Sequence, residues 1–572
     1  MSDTPTRAEQ PSVRKLPAAV RGLPAAVRSL PLASALRLSR PSDTWFKPAL
    51  SVVVASAVPH LTLLALGRLD LVMYTMAGSL CALYAHGLPY ARRARAVAGV
   101  VLGMAASLAV SLATASLTGS TAVLIAVGAL LAAAQKVLCD ATRIGPPGHV
   151  IFTFVSSAAL FAPQRPDQIP GHLALTLGAG AFAWLVAVAP ALVRREGPER
   201  RAVARALAAA AACAADPGPR HRNAAAAAVH AAWQCLLASG RPTPVRRSLE
   251  RLVVHAEAAF AAPGLGAGAA DPDRLREWAA LTRARGPVPA PPPAPGTADE
   301  LHGIDAERVA LRAPEGRRAN RRALLRRLGP GSPLLPVAVR TLAGCALAGY
   351  LCAALGVGRP YWAIVTAASL YQANITLSWN RALQRTLGNL LGVLVFAAVL
   401  PLSRTGPLAL VCCCLFFSFA AEALITRNYW LGSVAVTPMA LLVLEFGGAH
   451  PAGELIGDRV LDTLLGAAAG FLAATLVTNR RAAGRVERAL AATDRARADP
   501  RAAPTERDRA RRTLTASLVE LREAGDTAAG EWWQRALPEQ RLLAAEQAGH
   551  RTLAATAQRR GPTVHAPSIG AE

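Results

Sequence analysis

Residues 361–392 read YWAIVTAASLYQANITLSWNRALQRTLGNLLG. An apolar run opens on Tyr361 and Trp362, includes the polar residues Gln372 and Asn374, and is followed by Arg381, Arg385, Gly388 and Gly392. Trp362 is expected where a membrane span meets the outer interface, because indole rings settle there. Arg381 and Arg385 are four residues apart, so they share one helix face at the inner boundary. Gly388 and Gly392 form a small-xxx-small pair that lets a second helix approach closely. The run thus reads as one membrane span, 359–378, and the start of the next, 382–402.

Working outward, similar segments fill two stretches, about Trp45 to Val193 and about Leu334 to Thr478. Features of the first recur in the second some 288 residues on. Leu83-Tyr84 returns as Leu370-Tyr371, Gly99 and Gly103 as Gly388 and Gly392, and Gly171 and Gly178 as Gly457 and Gly466. A duplicated hydrophobic unit is a transport or conduction architecture in outline, since two related units enclose a path between them. Spans are expected at 48–67, 69–90, 96–117, 119–138, 148–163 and 171–193, then at 334–356, 359–378, 382–402, 407–426, 429–448 and 458–478. Each is near the ~20 residues a helix needs to cross hydrocarbon. The fold class expected is all-α: a polytopic membrane protein with two six-helix modules in parallel repeat, plus helical cytoplasmic domains.

Composition agrees. Of 572 residues, 53% are hydrophobic and 17% charged, yet the net charge is +26. The polar segments 1–47, 194–333 and 479–572 carry +5, +10 and +5 of it. Such segments stay on the cytoplasmic side and lie against anionic headgroups. With the N-terminus inside, the inside loops hold Arg92, Arg93, Arg95, Lys136, Arg143, Arg381, Arg385 and Arg427. The outside loops hold single basic residues, among them Arg359, Arg404 and Arg459. The domains expected are a basic arm (1–47), a first module (48–193), a helical insert (194–333), a second module (334–478) and a helical tail (479–572). The location expected is a bacterial inner membrane, with arm, insert and tail cytoplasmic and no cleavable signal before Trp45. Within the insert, helices are expected at 199–215, 222–239, 244–262 and 271–285, with one basic helix from Asp305 to Arg327. Gly264 to Gly268 and Pro287 to Pro295 read as linkers. In the tail, Trp532-Trp533 is read as packing in the bundle or touching the membrane surface.

Several function classes drop out. The only lysines are Lys15, Lys47 and Lys136, none after a glycine, so no GxxxxGK[ST] phosphate loop exists. HExxH is absent, and His60, His86, His149 and His172 are scattered. The nine cysteines lack CxxC spacing and read as packing residues in a reducing compartment. No nucleophile, base and orienter set is present, so an enzyme is not expected, and neither is a cofactor or metal. No aromatic-interleaved basic stripe supports nucleic-acid binding.

The stretch 361–392 resembles the fusaric acid resistance (FUSC) or aromatic acid exporter family. The pattern there is a Trp-opened helix, a polar turn, then R-x-x-G-T-x-x-G. This sequence supplies Trp362, Arg385, Gly388 and Gly392; Asn389 stands where Thr is common, and the turn lacks the usual Pro. In the first module Gly99 and Gly103 fit more loosely, with Arg95 four residues before. The plant aluminium-activated malate channels look distantly similar, with six spans per chain and dimeric pores. The resemblance implies export of organic anions, aromatic carboxylates foremost, driven by an ion gradient. Two rivals stand beside it: a passive anion channel, and a membrane scaffold with basic cytoplasmic domains and no transport. The partners expected are a small organic anion and the lipid bilayer, with a homo-oligomer left open.

Guanidinium forks suit carboxylates, so Arg381 and Arg385 are the expected substrate-binding residues, with membrane anchoring as the plain alternative. Glu422 and Asp462 are the candidates for carrying a coupling proton, because charged groups at depth face a bundle interior or a water path. Arg459 with Asp462 is read as a structural ion pair. Gly388 and Gly392 are the expected helix-packing residues.

Overall fold

The computed structural model describes residues 35–38, 45–240, 242–261, 271–291, 301–329, 332, 334–477, 481–498, 504–531 and 538–558. Among these the chain is entirely helical. The linker 264–268 and the pair Trp532-Trp533 lie outside the described residues.

The first module begins with α1 (Phe46–Ala65). A short second segment follows, Leu69–Leu83, made of α2 (Val72–Ser79) flanked by single 3-10 turns. Then come α3 (Tyr90–Leu117), α4 (Thr121–Thr142), α5 (Val150–Leu160) and α6 (Ile169–Val188). The second module repeats the order: α13 (Leu335–Ala354), α14 (Pro360–Leu370), α15 (Ile375–Ser403), α16 (Pro407–Ile425), α17 (Tyr429–Glu445) and α18 (Ala452–Leu476). Between them lie α7 (Gly197–Ala215), α8 (Pro219–Ala238), α9 (Pro244–Ala261), α10 (Pro272–Arg283), α11 (His302–Arg312) and α12 (Pro314–Leu328). The tail adds α19 (Arg481–Ala498), α20 (Pro504–Ala529) and α21 (Glu539–Gln558).

The twelve apolar segments are all helices, but they are not twelve full spans. Among the described residues eight are long and apolar enough to cross a membrane. In both modules the second and fifth segments are short. The second segments stop at the repeated Leu-Tyr pair, where Tyr84 (ψ 154°) and Tyr371 (ψ 108°) turn extended. Asn374 then caps α15, its Oδ1 accepting the Leu377 N–H at 2.8 Å. The residues placed at the end of a span at 359–378 therefore begin a new helix. With 29 residues, α15 is about 43 Å long, more than the ~30 Å of hydrocarbon.

The modules interlock reciprocally. The first helix of module one packs on the fourth of module two, α1 on α16; the fourth of module one packs on the first of module two, α4 on α13. Such an exchange is what a twofold relation between repeats produces. At the second contact Gly349 is required, because a Cβ there would sit 2.7 Å from Ile125 Cγ2.

The insert and tail form one bundle. Its core joins Leu207, Trp233, Leu252 and Phe260 to Leu514, Leu518 and Leu553 of the tail. Buried ion pairs bind the two parts: Arg511 with Glu257 at 3.2 Å and Arg512 with Glu307 at 2.6 Å. The basic helix expected from Asp305 to Arg327 is two helices. Pro314 has no N–H to continue the ladder, and Ala313 before it is extended at ψ 151°.

The bundle is latched to the second module. Arg340 of α13 donates two hydrogen bonds to Glu531, at 3.1 and 3.0 Å, and a third to the Val477 carbonyl at 2.7 Å. Both side chains are buried. Beside them the Thr376 N–H donates to the Gly530 carbonyl at 3.1 Å, and Asn374 Nδ2 to the Asp526 carbonyl at 3.3 Å. Removing one partner of a buried pair leaves the other charge uncompensated, at about 3–5 kcal/mol. Glu531→Gln is expected to loosen this latch. Hydrogen exchange should quicken in Pro504–Ala529 and stay unchanged in Thr121–Thr142; equal rates in the former would refute the latch.

Helices α15 and α17 meet at Gly388 and Gly392. A Cβ on Gly388 would lie 2.5 Å from both Ser433 Cβ and the Trp430 carbonyl, and one on Gly392 2.6 Å from Thr437 Cβ. The sequence-matched glycines of module one are not so used: Gly99 faces open space and Gly103 only touches Phe152. Overpacking of this kind costs about 1–3 kcal/mol per site. Gly388→Leu with Gly392→Leu is expected to lower the unfolding temperature in detergent, whereas Gly99→Leu leaves it nearly unchanged. A double variant as stable as the parent would refute the close approach.

Candidate functional site: a cationic cavity between the modules

A cavity of 1520 Å³ lies between the modules. Its mouth is on the bundle side, at the loops that hold Gly87, Gly145 and Gln372. Its walls come from α1, α4 and α5 of the first module and α14, α15, α16 and α17 of the second, and Arg459 of α18 reaches it from further in. None of the loops at the far end lines it. There the aromatic residues close up: Phe154 on Trp362 at 5.5 Å and Phe161 on Tyr361 at 5.9 Å.

Among the described residues eight cationic side chains line the cavity against two acids, Asp140 and Glu422. Asp140 is already paired with Lys136 at 2.9 Å. The excess is therefore strongly positive, and the field inside favours anions.

Arg381 and Arg385 both converge on Tyr429, the first residue of α17. Arg385 is 4% exposed and its Nη1 donates to Tyr429 Oη at 3.1 Å. The Arg381 guanidinium lies 3.8 Å above the ring of Tyr429, a cation–π contact. Arg385 thus faces inward and not toward headgroups. Tyr429 is placed by Asn428, whose Oδ1 accepts the Trp430 N–H at 3.3 Å. At the mouth, Gln384 Nε2 and Asn428 Nδ2 donate to the Ala35 carbonyl at 2.6 and 3.1 Å. A turn of the N-terminal arm is held across the entrance in this way, and its Arg37 lines the cavity.

Arg459 is the residue the sequence undervalued. It was assigned to an outside loop and to an ion pair with Asp462. In the structure α18 begins at Ala452, so Arg459 lies about 10 Å inside the helix. It is 1% exposed, with its guanidinium stacked 3.9 Å from the ring of Trp362. None of its three nitrogens has a hydrogen-bond partner among the described residues; Arg385 is close enough to repel it and Asp462 close enough to attract it. No ion pair to Asp462 forms. Asp462 is turned toward Cys352 of α13 and does not line the cavity. Trp362, expected at the outer interface, is instead buried at the cavity's closed end. The signal available in the sequence was a lone arginine in an apolar helix; its depth depended on where α18 starts.

Asn389 fixes this end. Its Nδ2 donates to Thr463 Oγ1 at 3.0 Å and its Oδ1 accepts from Thr437 Oγ1 at 2.7 Å, while Thr463 Oγ1 donates to the Arg459 carbonyl at 2.7 Å. One amide thus ties α15, α17 and α18 together at the level of Arg459. Glu422 lines the cavity from α16 and forms no ion pair among the described residues.

The fold and this site define an all-helical polytopic membrane protein with a duplicated module and a cationic interior cavity. Residues 345–473, most of the second module, match the family described as fusaric acid resistance protein-like. Over 542 residues the chain is 26% identical to the uncharacterized membrane protein YvaC of Bacillus subtilis, covering 87% of this chain and 83% of that one. A 150-residue part is 32% identical to an uncharacterized protein of Haemophilus influenzae, 25% of this chain and 20% of that one. No solved structure matches the chain.

A carboxylate bound here is expected to engage Arg459 and Arg385. Loss of one charge-assisted contact typically costs about 1.5–3 kcal/mol, so Arg459→Gln should weaken benzoate binding by roughly 10- to 100-fold. Arg459→Lys keeps the charge without the fork and should fall between. Calorimetric titration of the purified protein checks this. Unchanged affinity in the Gln variant, with the fold intact, would exclude Arg459 from the site.

Proposed function

We propose that the protein exports organic anions, aromatic carboxylates first among them, from the cytoplasm across a bacterial inner membrane. The observation that carries this is Arg459: a buried guanidinium with no hydrogen-bond partner at the closed end of a cationic cavity. Buried donors left without acceptors are costly, and a carboxylate answers them with a matching pair of acceptors. Arg385 adds a second donor and Arg381 draws the anion in at the mouth. Phe154 and Met439, which also line the cavity, supply apolar surface for an aromatic substrate.

We place the bundle on the cytoplasmic side, where basic segments stay, and take that side as the one from which substrate is drawn. The cavity then faces the cytoplasm. Its closed far end favours alternating access over a standing pore. Glu422 is the acid we assign to coupling, because it alone lines the cavity without a partner among the described residues. A proton on Glu422 would remove its repulsion of a bound carboxylate, which links the two ligands.

Proteoliposome flux tests the reading. Labelled benzoate is expected to move, and to move faster with a pH gradient than without. Glu422→Gln should keep flux at equal pH and lose the acceleration. A gradient-independent flux in the parent would support a passive channel. No flux for any carboxylate in a panel would overturn transport and leave the scaffold reading.

A further inference from the structure

We propose that α12, Pro314–Leu328, is a docking surface for anionic phospholipid headgroups. It carries six arginines, at 317, 318, 321, 322, 326 and 327, against the single acid Glu315. Arg318, Arg321, Arg322 and Arg326 are exposed, and so are Leu325 and Leu328. Three-residue spacing puts the two leucines on one face, and Arg321 precedes Leu325 by one turn.

Two tethers set the height of this helix. Arg327 Nη1 donates to the Ala141 carbonyl at 3.1 Å, in the last turn of the span α4. Leu335, seven residues beyond Leu328, starts the span α13. The last turn of α12 therefore lies where two spans leave the hydrocarbon. At that height headgroups are the neighbours the helix meets without any added partner. Leucines rimmed by arginines are what an interfacial helix presents. The arginine stems lie along the apolar boundary while their heads reach phosphate, which guanidinium binds in bidentate fashion. The charge excess selects anionic over zwitterionic lipid. This inference is independent of the transported substrate.

The test uses the full chain in nanodiscs of phosphatidylcholine alone, or of phosphatidylcholine mixed with phosphatidylglycerol. Hydrogen exchange of 314–328 is expected to slow by roughly tenfold in the mixed bilayer at low salt, with the protection fading as salt rises. Arg318→Gln, Arg321→Gln, Arg322→Gln and Arg326→Gln together should abolish the difference, while α4 exchanges as before and reports an intact fold. Equal exchange in the two lipids, or protection that survives in the fourfold variant, overturns the proposal. Protection in pure phosphatidylcholine would mean that the chain or a second copy covers the face. Equal protection by inorganic phosphate at matched ionic strength would mean a free-anion site and no bilayer surface.

Discussion

Backbone N–H and C=O groups cannot be left bare in hydrocarbon, and the four short helices of this fold end inside it or close to its edge. Each break must be answered by protein. After Tyr84 the answer is Arg93, which is buried and donates to the carbonyls of Ala85 at 3.0 Å and Ala187 at 3.1 Å, and also to that of His86. After Tyr371 the answer is Asn374, Ser378 and the tail, whose Gly530 carbonyl takes the Thr376 N–H. The tyrosines themselves brace the breaks, Tyr84 Oη on the Gly148 carbonyl at 2.6 Å and Tyr371 Oη on that of Gly470 at 3.0 Å. The cavity lies between these breaks, where irregular backbone is buried in protein or lines an internal space.

The duplication has diverged at this point. Arg93 and Arg381 each lie between the repeated Leu-Tyr and glycine pairs. Arg93 is fully committed to backbone carbonyls. Because the tail takes over that task in the second module, Arg381 is left for the ring of Tyr429 and the cavity mouth. The same asymmetry holds for the glycines: Gly388 and Gly392 close α15 on α17, while Gly99 touches nothing. A site built from one repeat and walled by the other needs such a division of labour.

Much of this was legible in the sequence. Hydrophobic runs gave the helices, since apolar length is a local property. The polar turn at 372–374 was visible, and so was the glycine pair with its arginines. What escaped depends on depth and direction. Arg459 and Asp462 are three residues apart, a spacing that permits an ion pair, yet their side chains turn to different neighbours: Trp362 for one, Cys352 for the other. Trp362 opens a helix, which suits an interfacial anchor, but α14 is too short to place it at a membrane surface. The length of a run could not distinguish a span from a short helix continued past a break.

The latch at Arg340 and Glu531 joins two things that a sequence keeps 191 residues apart. The tail rests on the turn from which α15 springs, and α15 carries Arg381, Arg385 and Asn389. Asn389 in turn holds the helix of Arg459. A shift of α15 that repositions the arginines must therefore strain or release the tail's contacts with Asn374 and Thr376. The reverse also holds: coupling between sites is reciprocal. With Arg512–Glu307 and Arg511–Glu257 binding tail to insert, the whole bundle is mechanically in series with the cavity wall. Its size and its buried ion pairs make physical sense as a rigid support for a helix that would otherwise end in a bare polar turn.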